Sequence, residues 1–295
     1  MERRLIAIAG PTASGKSALA LQLAGRIGGE IVNGDSRQVY IGMDIGTAKP
    51  SAAERALLPH HLFDHVLPSE PYSLGVYRGQ ALAAFEQIWE RAAIPILAGG
   101  TGQYIWALLE DWTVPKVPPD VELRERLYGE SESAGFAVLH DRLKAIDPIS
   151  AARIDGRNVR RVVRALEVYE LTGTPLSTWQ RKREPNFRFD VYGLSVEREE
   201  LDRRINARVD AMFAVGFVDE VERLRAEGFG RELPSMSSIG YSQVHQFLDG
   251  ECTIEEAVAT TKQATRRFAR KQGAWFRPGD ARIRWVKSID DIPAE

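Results

Sequence analysis

The sequence is poor in several features that mark particular classes of protein. Its 295 residues include one cysteine, Cys252, which excludes a disulfide framework and a cysteine metal site. No apolar run approaches the roughly 20 residues of a membrane-spanning helix. The chain enters an apolar run after four residues, so we expect no signal peptide and a cytoplasmic location. The net charge of −2 argues against a general binder of nucleic acid.

Basic residues are nevertheless concentrated in two stretches. Residues 262–277 contain six basic side chains and no acidic one. Residues 153–183 contain eight basic side chains and three acidic ones. Such asymmetry in a nearly neutral chain indicates a local site for a polyanion.

A phosphate-binding pattern follows the first apolar run. Residues 10–17 match G-x-x-x-x-G-K-[ST] between a predicted strand and a predicted helix, and this context disfavours an ordinary glycine-rich turn. Helix amides and glycine backbone can surround phosphate oxygens. Lys16 can reach terminal phosphate oxygens, and Ser17 can ligate Mg²⁺. The predicted diphosphate-binding residues are Gly10, Pro11, Thr12, Ala13, Ser14, Gly15, Lys16 and Ser17.

The pattern of apolar runs predicts an α/β fold, with a P-loop NTPase-like parallel sheet and a helical insertion domain. The predicted strands are 5–9, 30–32, 94–98, 191–196 and 283–286. The predicted helices include 17–26, 75–91 and 158–171. Three prolines at 113–119 mark a boundary, and the region that follows is helical and charged. We therefore predict an insertion at 117–187, within a core formed by 1–116 and by 188–295 with its helical C-terminal part.

Polar residues follow two of the predicted strands. Asp35 comes just after the second strand, and Thr101 lies in the glycine-rich segment 99–102 after the third. In open α/β sheets ligands bind outside the carboxyl ends of the strands. Asp35 could ligate Mg²⁺, act as a general base or cap a turn. Thr101 could contact a phosphate or a base, or the segment could be only a turn that needs glycine.

Several other groups leave two interpretations open. Arg160 and Arg164, Arg204 and Arg208, and the series Lys262, Arg266 and Arg270 are spaced four apart, as on one face of a helix. Such faces contact phosphate or remain solvated. The aromatic residues near them stack on bases or pack in the core; they are Trp179, Trp275 and Phe276. We interpret His60, His61 and His65 as structural, because they have no second ligand cluster.

Taken together, these segments closely resemble the tRNA dimethylallyltransferase (tRNA isopentenyltransferase) family. The resemblance begins with residues 10–17, 35–40 and 42–50. It continues through 99–101, 164–169, 172–177, 239–241 and 270–277, so it covers nearly the whole chain. The stretch 43–50 is specific, because a plain P-loop kinase does not need it.

The resemblance implies transfer of a dimethylallyl group from dimethylallyl diphosphate to N6 of the adenosine 3′ of the anticodon in tRNA, with Mg²⁺ as cofactor. Asp35 would be the general base, and Thr101 would position the target nucleotide. Lys16, Ser17 and one or both of Arg204 and Arg208 would stabilise the departing pyrophosphate. The target base would have to flip out of its stack.

The insertion resembles the family's domain for the anticodon stem-loop. The implied tRNA-binding residues are Asp35, Ser36, Arg37, Gln38, Thr101, Arg124, Arg160, Arg161, Val162, Val163, Arg164, Arg270, Lys271 and Arg277. Two positions depart from the family pattern, Ile41 and Ser242, where a basic residue is common. We expect a monomer, because the sequence has no heptad repeat.

Three alternatives remain at this stage. A P-loop small-molecule kinase would use arginines of the insertion as a lid over ATP. An adenylate (AMP/ADP) isopentenyltransferase would use the same donor but would not need a large basic insertion. An RNA-binding module with a vestigial nucleotide site would not need an intact phosphate pattern together with Asp35.

Overall fold

The structure, a computed structural model, describes residues 3–115, 117–179 and 181–293. The chain divides into two compact units, one formed by Met1–Leu109 with Pro185–Glu295 and the other by Glu110–Glu184. The first unit contains the sheet, and the second is helical. We call them the sheet unit and the helical unit.

The two ends of the helical unit pair with each other. The Arg183 amide donates to the Glu110 carbonyl at 2.9 Å, and the Thr113 amide donates to the Arg181 carbonyl at 3.0 Å. Lys182 forms an ion pair with Glu110 at 2.8 Å. These contacts assign residues 110–115 to the helical unit, earlier than the boundary at 117 that the prolines suggested. Residue 116 lies outside the described residues.

The described part of the sheet unit has six parallel strands in the order β3-β2-β4-β1-β5-β6. They are β1 (Arg4–Ala9), β2 (Gly29–Asn33), β3 (His60–His61), β4 (Ile94–Gly99), β5 (Arg188–Leu194) and β6 (Ile283–Val286). This confirms the predicted α/β class with a parallel sheet. The prediction missed β3, which is only two polar residues long, and placed β5 too late, because Arg188 already pairs in register with Arg4.

The helices, in chain order, are α1 (Lys16–Ile27), α2 (Ala52–Leu57), α3 (Leu74–Glu90), α4 (Gly102–Leu109), α5 (Val121–Ala134), α6 (Phe136–Ile146), α7 (Pro148–Arg153), α8 (Val159–Thr172), α9 (Leu176–Trp179), α10 (Arg198–Ala214), α11 (Phe217–Ala226), α12 (Tyr241–Leu248) and α13 (Ile254–Gly273), with a 3₁₀ turn at Ile289–Asp291. Helices α5 to α9 form the helical unit. Over the described ranges, none of the helices is both long and apolar enough to cross a membrane.

The sheet register brings the loops that follow β1 and β4 to the same edge. Ala9 at the end of β1 pairs with Gly99 of β4 and with Gly193 of β5. The strand β1 is almost fully buried, as expected for a parallel strand covered on both faces. Its end therefore lies at a fixed point, from which residues 10–17 and residues 99–102 start side by side.

The core of the helical unit is built by the apolar side of α8. Val162, Val163 and Leu166 are at most 1% exposed and pack with Leu127 and Leu143 of the preceding helices. Helix α8 therefore presents its remaining side to solvent.

Candidate functional site

Residues 10–17 form a phosphate loop between β1 and α1. Gly10 has φ 145° and Gly15 has φ 99°, conformations that favour glycine. No side chain caps the start of α1, so its first amides are open to an anion. The Lys16 ammonium lies back over the loop and donates to the Pro11 carbonyl at 2.6 Å.

Asp35 follows β2 and lies within electrostatic range of Lys16 in the phosphate loop. The Asn33 carboxamide accepts a hydrogen bond from the Asp35 amide at 2.8 Å, and Asp35 Oδ1 accepts one from the Arg37 amide at 2.9 Å. Desolvation lowers the pKa of Lys16 to about 8, although Asp35 opposes this shift, and Arg208 lowers it further. Burial also lowers the pKa of Arg208, again opposed by Asp35. One carboxylate and two cations thus share a desolvated crevice.

Both predicted arginines of α10 reach the phosphate loop. The Arg208 guanidinium donates to the Thr12 hydroxyl at 3.4 Å, and Arg204 donates to the Ser14 carbonyl at 3.5 Å. Arg204 is more exposed and also pairs with Glu200 at 2.6 Å. Of the two, Arg208 lies in the crevice and Arg204 lies at its edge.

Thr101 stabilises the backbone beside Asp35. Its hydroxyl accepts a hydrogen bond from the Ser36 amide at 3.0 Å and donates to the Ser36 hydroxyl at 3.4 Å. The Thr101 amide donates to the Gly34 carbonyl at 3.2 Å. A Cβ at Gly99 would lie 2.1 Å from the Gly34 backbone, so this close approach requires glycine.

A buried glutamine of α13 connects the phosphate loop to residues 99–102, which we call the threonine loop. Gln272 is 3% exposed. Its Oε1 accepts from the Thr12 amide at 2.8 Å, and its Nε2 donates to the Gly100 carbonyl at 2.8 Å. Gln272 lies in the segment 270–277 that resembles the family, but it was not among the predicted site residues, because its partner Thr12 lies 260 positions away in the chain.

Residues 36–38 lie next to this crevice in the chain. Arg37 donates to the Pro234 carbonyl at 3.2 Å, and the Gln38 carboxamide donates to the carbonyls of Thr47 and Ala48, each at 3.0 Å. The stretch 43–50 therefore orients Gln38.

A buried lysine stabilises the stretch 43–50. The Lys49 side chain is 1% exposed and pairs with Asp44 at 2.7 Å and with Asp64. It also donates to the Tyr40 carbonyl at 2.8 Å. Three partners thus compensate the burial of this charge.

The buried carboxylate of Glu220 binds the turn inside the same stretch. It accepts hydrogen bonds from the amides of Asp44, Ile45 and Gly46 at 2.7–3.3 Å. A Cβ at Gly46 would lie 2.3 Å from the Phe217 ring, so only glycine fits there. Glu220 was not among the predicted site residues either, because its partners are distant in the chain.

Two predicted RNA-binding arginines of the helical unit are bound to a buried carboxylate. Arg124 and Arg164 pair with Glu167, which is fully buried, at 2.8 and 2.5 Å. The side chains of Val162 and Val163 lie in the core, so the expected RNA contact through these side chains is corrected. Their apolar packing requires burial.

Arg160 and Arg161, by contrast, are exposed on α8. Within the described ranges, neither guanidinium has a hydrogen bond or an ion pair. They remain candidates for contact with phosphates.

The basic tail of α13 is exposed. Arg270 is 3.7 Å from Asp202, Lys271 lies next to it in the chain, and the Arg277 guanidinium donates to the Ala274 carbonyl at 3.3 Å. These three residues could face an RNA.

The two aromatic residues of this tail differ in exposure, because Trp275 is 37% exposed and Phe276 only 2%. Phe276 is buried, and the ring of Trp275 lies where a Cβ at Gly102 would be, 2.2 Å away. Of the two interpretations, base stacking or core packing, core packing therefore holds for Phe276.

The three histidines form internal hydrogen bonds. His61 pairs with Glu30 at 2.6 Å, His60 contacts the Leu58 carbonyl at 2.9 Å, and His65 contacts Gln80 at 3.1 Å. These contacts account for all three as structural residues.

Comparisons with known proteins match the chain along most of its length. The family model described as IPP transferase matches residues 38–279. A tRNA dimethylallyltransferase of Herpetosiphon aurantiacus is 51% identical over 99% of this chain and 92% of the relative. One of Roseiflexus sp. is 50% identical over 92% of this chain and 90% of the relative. The chain belongs to the tRNA dimethylallyltransferase family.

Solved structures of tRNA dimethylallyltransferases and tRNA isopentenyltransferases agree with the fold. The tRNA isopentenylpyrophosphate transferase of Bacillus halodurans has a TM-score of 0.70 and 41% identity, covering 97% of this chain and 90% of that one. A eukaryotic dimethylallyltransferase acting on tRNA has a TM-score of 0.80 and 30% identity, covering 97% of this chain and 74% of that one. The chain is thus a prenyltransferase with a P-loop NTPase-like core.

Proposed function

We propose that this protein transfers a dimethylallyl group from dimethylallyl diphosphate to N6 of the adenosine 3′ of the anticodon in tRNA, releasing diphosphate. The observation that carries this proposal is the crevice in which Asp35 faces Lys16 and Arg208 beside the phosphate loop. A diphosphate needs the cations and the loop, and a nucleophilic amine needs the carboxylate.

The phosphate loop and its cations would hold the leaving group. The free amides at the start of α1 bind a diphosphate oxygen, and the Lys16 ammonium exchanges the Pro11 carbonyl for the diphosphate. Arg208 adds a second cation, whose desolvation strengthens its attraction to negative charge. Charge that develops as the allylic C–O bond breaks is thereby stabilised.

Asp35 would accept the proton. The new bond forms between the adenine N6 and the allylic carbon, and the proton released from N6 passes to the Asp35 carboxylate. Two flanking hydrogen bonds, one from the Asp35 amide to the Asn33 carboxamide oxygen and one from the Arg37 amide to Asp35 Oδ1, fix the Asp35 backbone and one carboxylate oxygen. Thr101 orders Ser36 next to it, which is consistent with a role in positioning the target nucleotide.

Mg²⁺ fits this site. The Ser17 hydroxyl is exposed at the start of α1, and Mg²⁺ is commonly held by one or two protein oxygens together with substrate phosphates and waters. Bound there, it would neutralise charge on the diphosphate.

RNA binding would use exposed cations in both units. Arg160 and Arg161 of the helical unit, and Arg270, Lys271 and Arg277 of the sheet unit, would contact phosphates. We infer from their ion pairs with the buried Glu167 that Arg124 and Arg164 stabilise the helical unit instead. The tRNA substrate is consistent with the family, and we also propose that the protein acts as a monomer.

The test is incubation of the protein with dimethylallyl diphosphate, Mg²⁺ and an unmodified tRNA transcript, followed by digestion and mass spectrometry of the nucleosides. We expect prenylated adenosine from the transcript. A matched transcript with guanosine at the target position should give none. Prenylation of the guanosine-substituted transcript, or of neither transcript, would contradict the proposal.

A further inference from the structure

The Gln272 side chain forms hydrogen bonds with both the phosphate loop and the threonine loop. Its carboxamide accepts from the Thr12 amide in the phosphate loop and donates to the Gly100 carbonyl in the threonine loop, both at 2.8 Å. Under the proposed function, one loop holds the donor and the other supports the acceptor base. A single buried side chain therefore connects the two halves of the reaction.

The chemistry of the two contacts selects an amide. One partner is a donor and the other is an acceptor, and a carboxamide offers one oxygen and one NH₂ group at the same end. A methionine of similar size offers neither, and a carboxylate faces the Gly100 carbonyl with a second acceptor. A Cβ at Gly100 would lie 2.3 Å from Gln272 Nε2, so a side chain at that position would displace the Gln272 carboxamide.

The glutamine is held on a rigid element. It lies in the last turn of α13, and its carbonyl accepts from the Trp275 amide at 2.9 Å. The Trp106 indole donates to the Trp275 carbonyl at 3.1 Å, which fixes the end of α13 to α4. Helix α4 begins directly after Thr101, so this hydrogen bond links the end of α13 to the helix that follows the threonine loop.

We propose that Gln272 is a positioning residue that sets the separation between the diphosphate in the phosphate loop and the adenine beside Asp35. The inference rests on the proposed function. Reacting atoms must be held about 3–3.5 Å apart, and an error of about 1 Å costs roughly 100-fold in rate. Loss of the bridge should therefore lower kcat while leaving the binding of each substrate alone nearly intact.

The experiment compares Gln272→Met and Gln272→Glu with Gln263→Met as a matched control. Gln263 lies on the same helix and is exposed, with no hydrogen-bond partner among the residues described. The value of kcat at saturating substrates is divided by the fraction of protein molecules that bind pyrophosphate in calorimetry. This division corrects kcat for any protein that is not folded. We expect Gln272→Met to lower this corrected kcat about 10- to 100-fold, with pyrophosphate affinity changed less than about threefold.

The glutamate variant gives a readout that a purely structural role would not produce. A protonated carboxyl group again offers one donor and one acceptor, and burial favours the protonated form. The activity of Gln272→Glu relative to the wild type at the same pH should rise several-fold from about pH 8 to about pH 6. The same ratio for Gln272→Met should stay flat.

Hydrogen exchange separates this inference from the proposed function. Pyrophosphate should slow amide exchange at Gly100 and Thr101 in the wild type but not in Gln272→Met. If the wild type transfers no prenyl group, the proposed function fails, and this exchange result alone decides whether Gln272 couples the loops. An unchanged corrected kcat in Gln272→Met, or protection of the threonine loop without Gln272, would overturn the inference.

Discussion

The Tyr241 hydroxyl donates a 2.5 Å hydrogen bond to the buried carboxylate of Glu220. The same carboxylate accepts from three successive amides of the 44–46 turn. The Glu220 side chain of α11 thus hydrogen-bonds both the stretch 43–50 and Tyr241 of α12. That stretch in turn orients Gln38 through the carbonyls of Thr47 and Ala48. The stretch 43–50, which is the most specific match to the family, therefore supports the site by holding a neighbouring residue in place and does not itself supply a reacting group.

We predict that Glu220→Gln lowers the free energy of unfolding by about 3 kcal/mol, because hydrogen bonds to a charged acceptor are lost and an NH₂ group meets other donors. Urea unfolding followed by circular dichroism measures this change. Glu222→Gln on the exposed side of the same helix is the control and should change stability by less than about 0.5 kcal/mol. Equal stability of the two variants would remove the proposed role of Glu220.

Asp35→Asn should lower single-turnover prenyl transfer by about 10²- to 10⁴-fold, since the amide cannot take the N6 proton. Affinity for an anticodon stem-loop, measured by fluorescence anisotropy, should change by less than about threefold. Asp141→Asn on the exposed surface of the helical unit is the control. Full turnover in Asp35→Asn would exclude Asp35 as the base.

Lys16 should make pyrophosphate binding dependent on pH. Its pKa of about 8 means that the ammonium loses its charge as the pH rises through that value, so affinity should weaken above about pH 8. Bound pyrophosphate favours the charged form, so binding near pH 8 should take up a proton. Calorimetry in buffers of different ionisation enthalpy measures both effects.

The same measurement on Lys16→Met is the control. Protonation of pyrophosphate itself contributes equally to the pH dependence of both proteins, so the difference between them belongs to Lys16. The part of the pH dependence that belongs to Lys16 should disappear in the variant. The free energy of unfolding should depend on pH in the opposite direction. Between about pH 8, the pKa of Lys16 in the folded protein, and 10.5, its ordinary pKa, the unfolded chain holds the Lys16 proton more than the folded chain does. The contribution of Lys16 to stability therefore rises with pH through that window. The same pH dependence of affinity in both proteins would contradict the assignment.

The arginines of the helical unit should separate into two classes. Arg160→Ala and Arg161→Ala should weaken stem-loop binding, and each should reduce the slope of log affinity against log salt by about 1. Arg124→Ala should instead destabilise the protein by about 3 kcal/mol, because it leaves the buried Glu167 with one arginine fewer. Anisotropy at several salt concentrations and urea unfolding check both statements. A change of slope in Arg124→Ala alone would reverse the assignment.

The sequence predicted the sheet well because its long strands are continuous apolar runs. It missed β3, where only His60 and His61 pair with β2. Local patterns also identified the phosphate loop and Asp35, because each follows a strand. They could not identify Gln272 or Glu220, whose partners lie 260 and about 175 positions away and are brought together only by packing of α13 and α11.

Val162 and Val163 illustrate the opposite limit. The resemblance placed them with the RNA-binding arginines, to which they are adjacent in the chain. Helical periodicity instead turns their side chains into the core while Arg160 and Arg161 stay outside. Adjacency in a motif does not distinguish a residue that binds from one that supports.

The most direct test of the central claim is a partition experiment with dimethylallyl diphosphate labelled in the dimethylallyl group. The protein is given Mg²⁺ with equal concentrations of an anticodon stem-loop RNA and AMP, and label is measured on each. The account predicts label on the stem-loop alone. Label on AMP alone, or on neither acceptor while ATP donates its terminal phosphate to a small molecule, would contradict it.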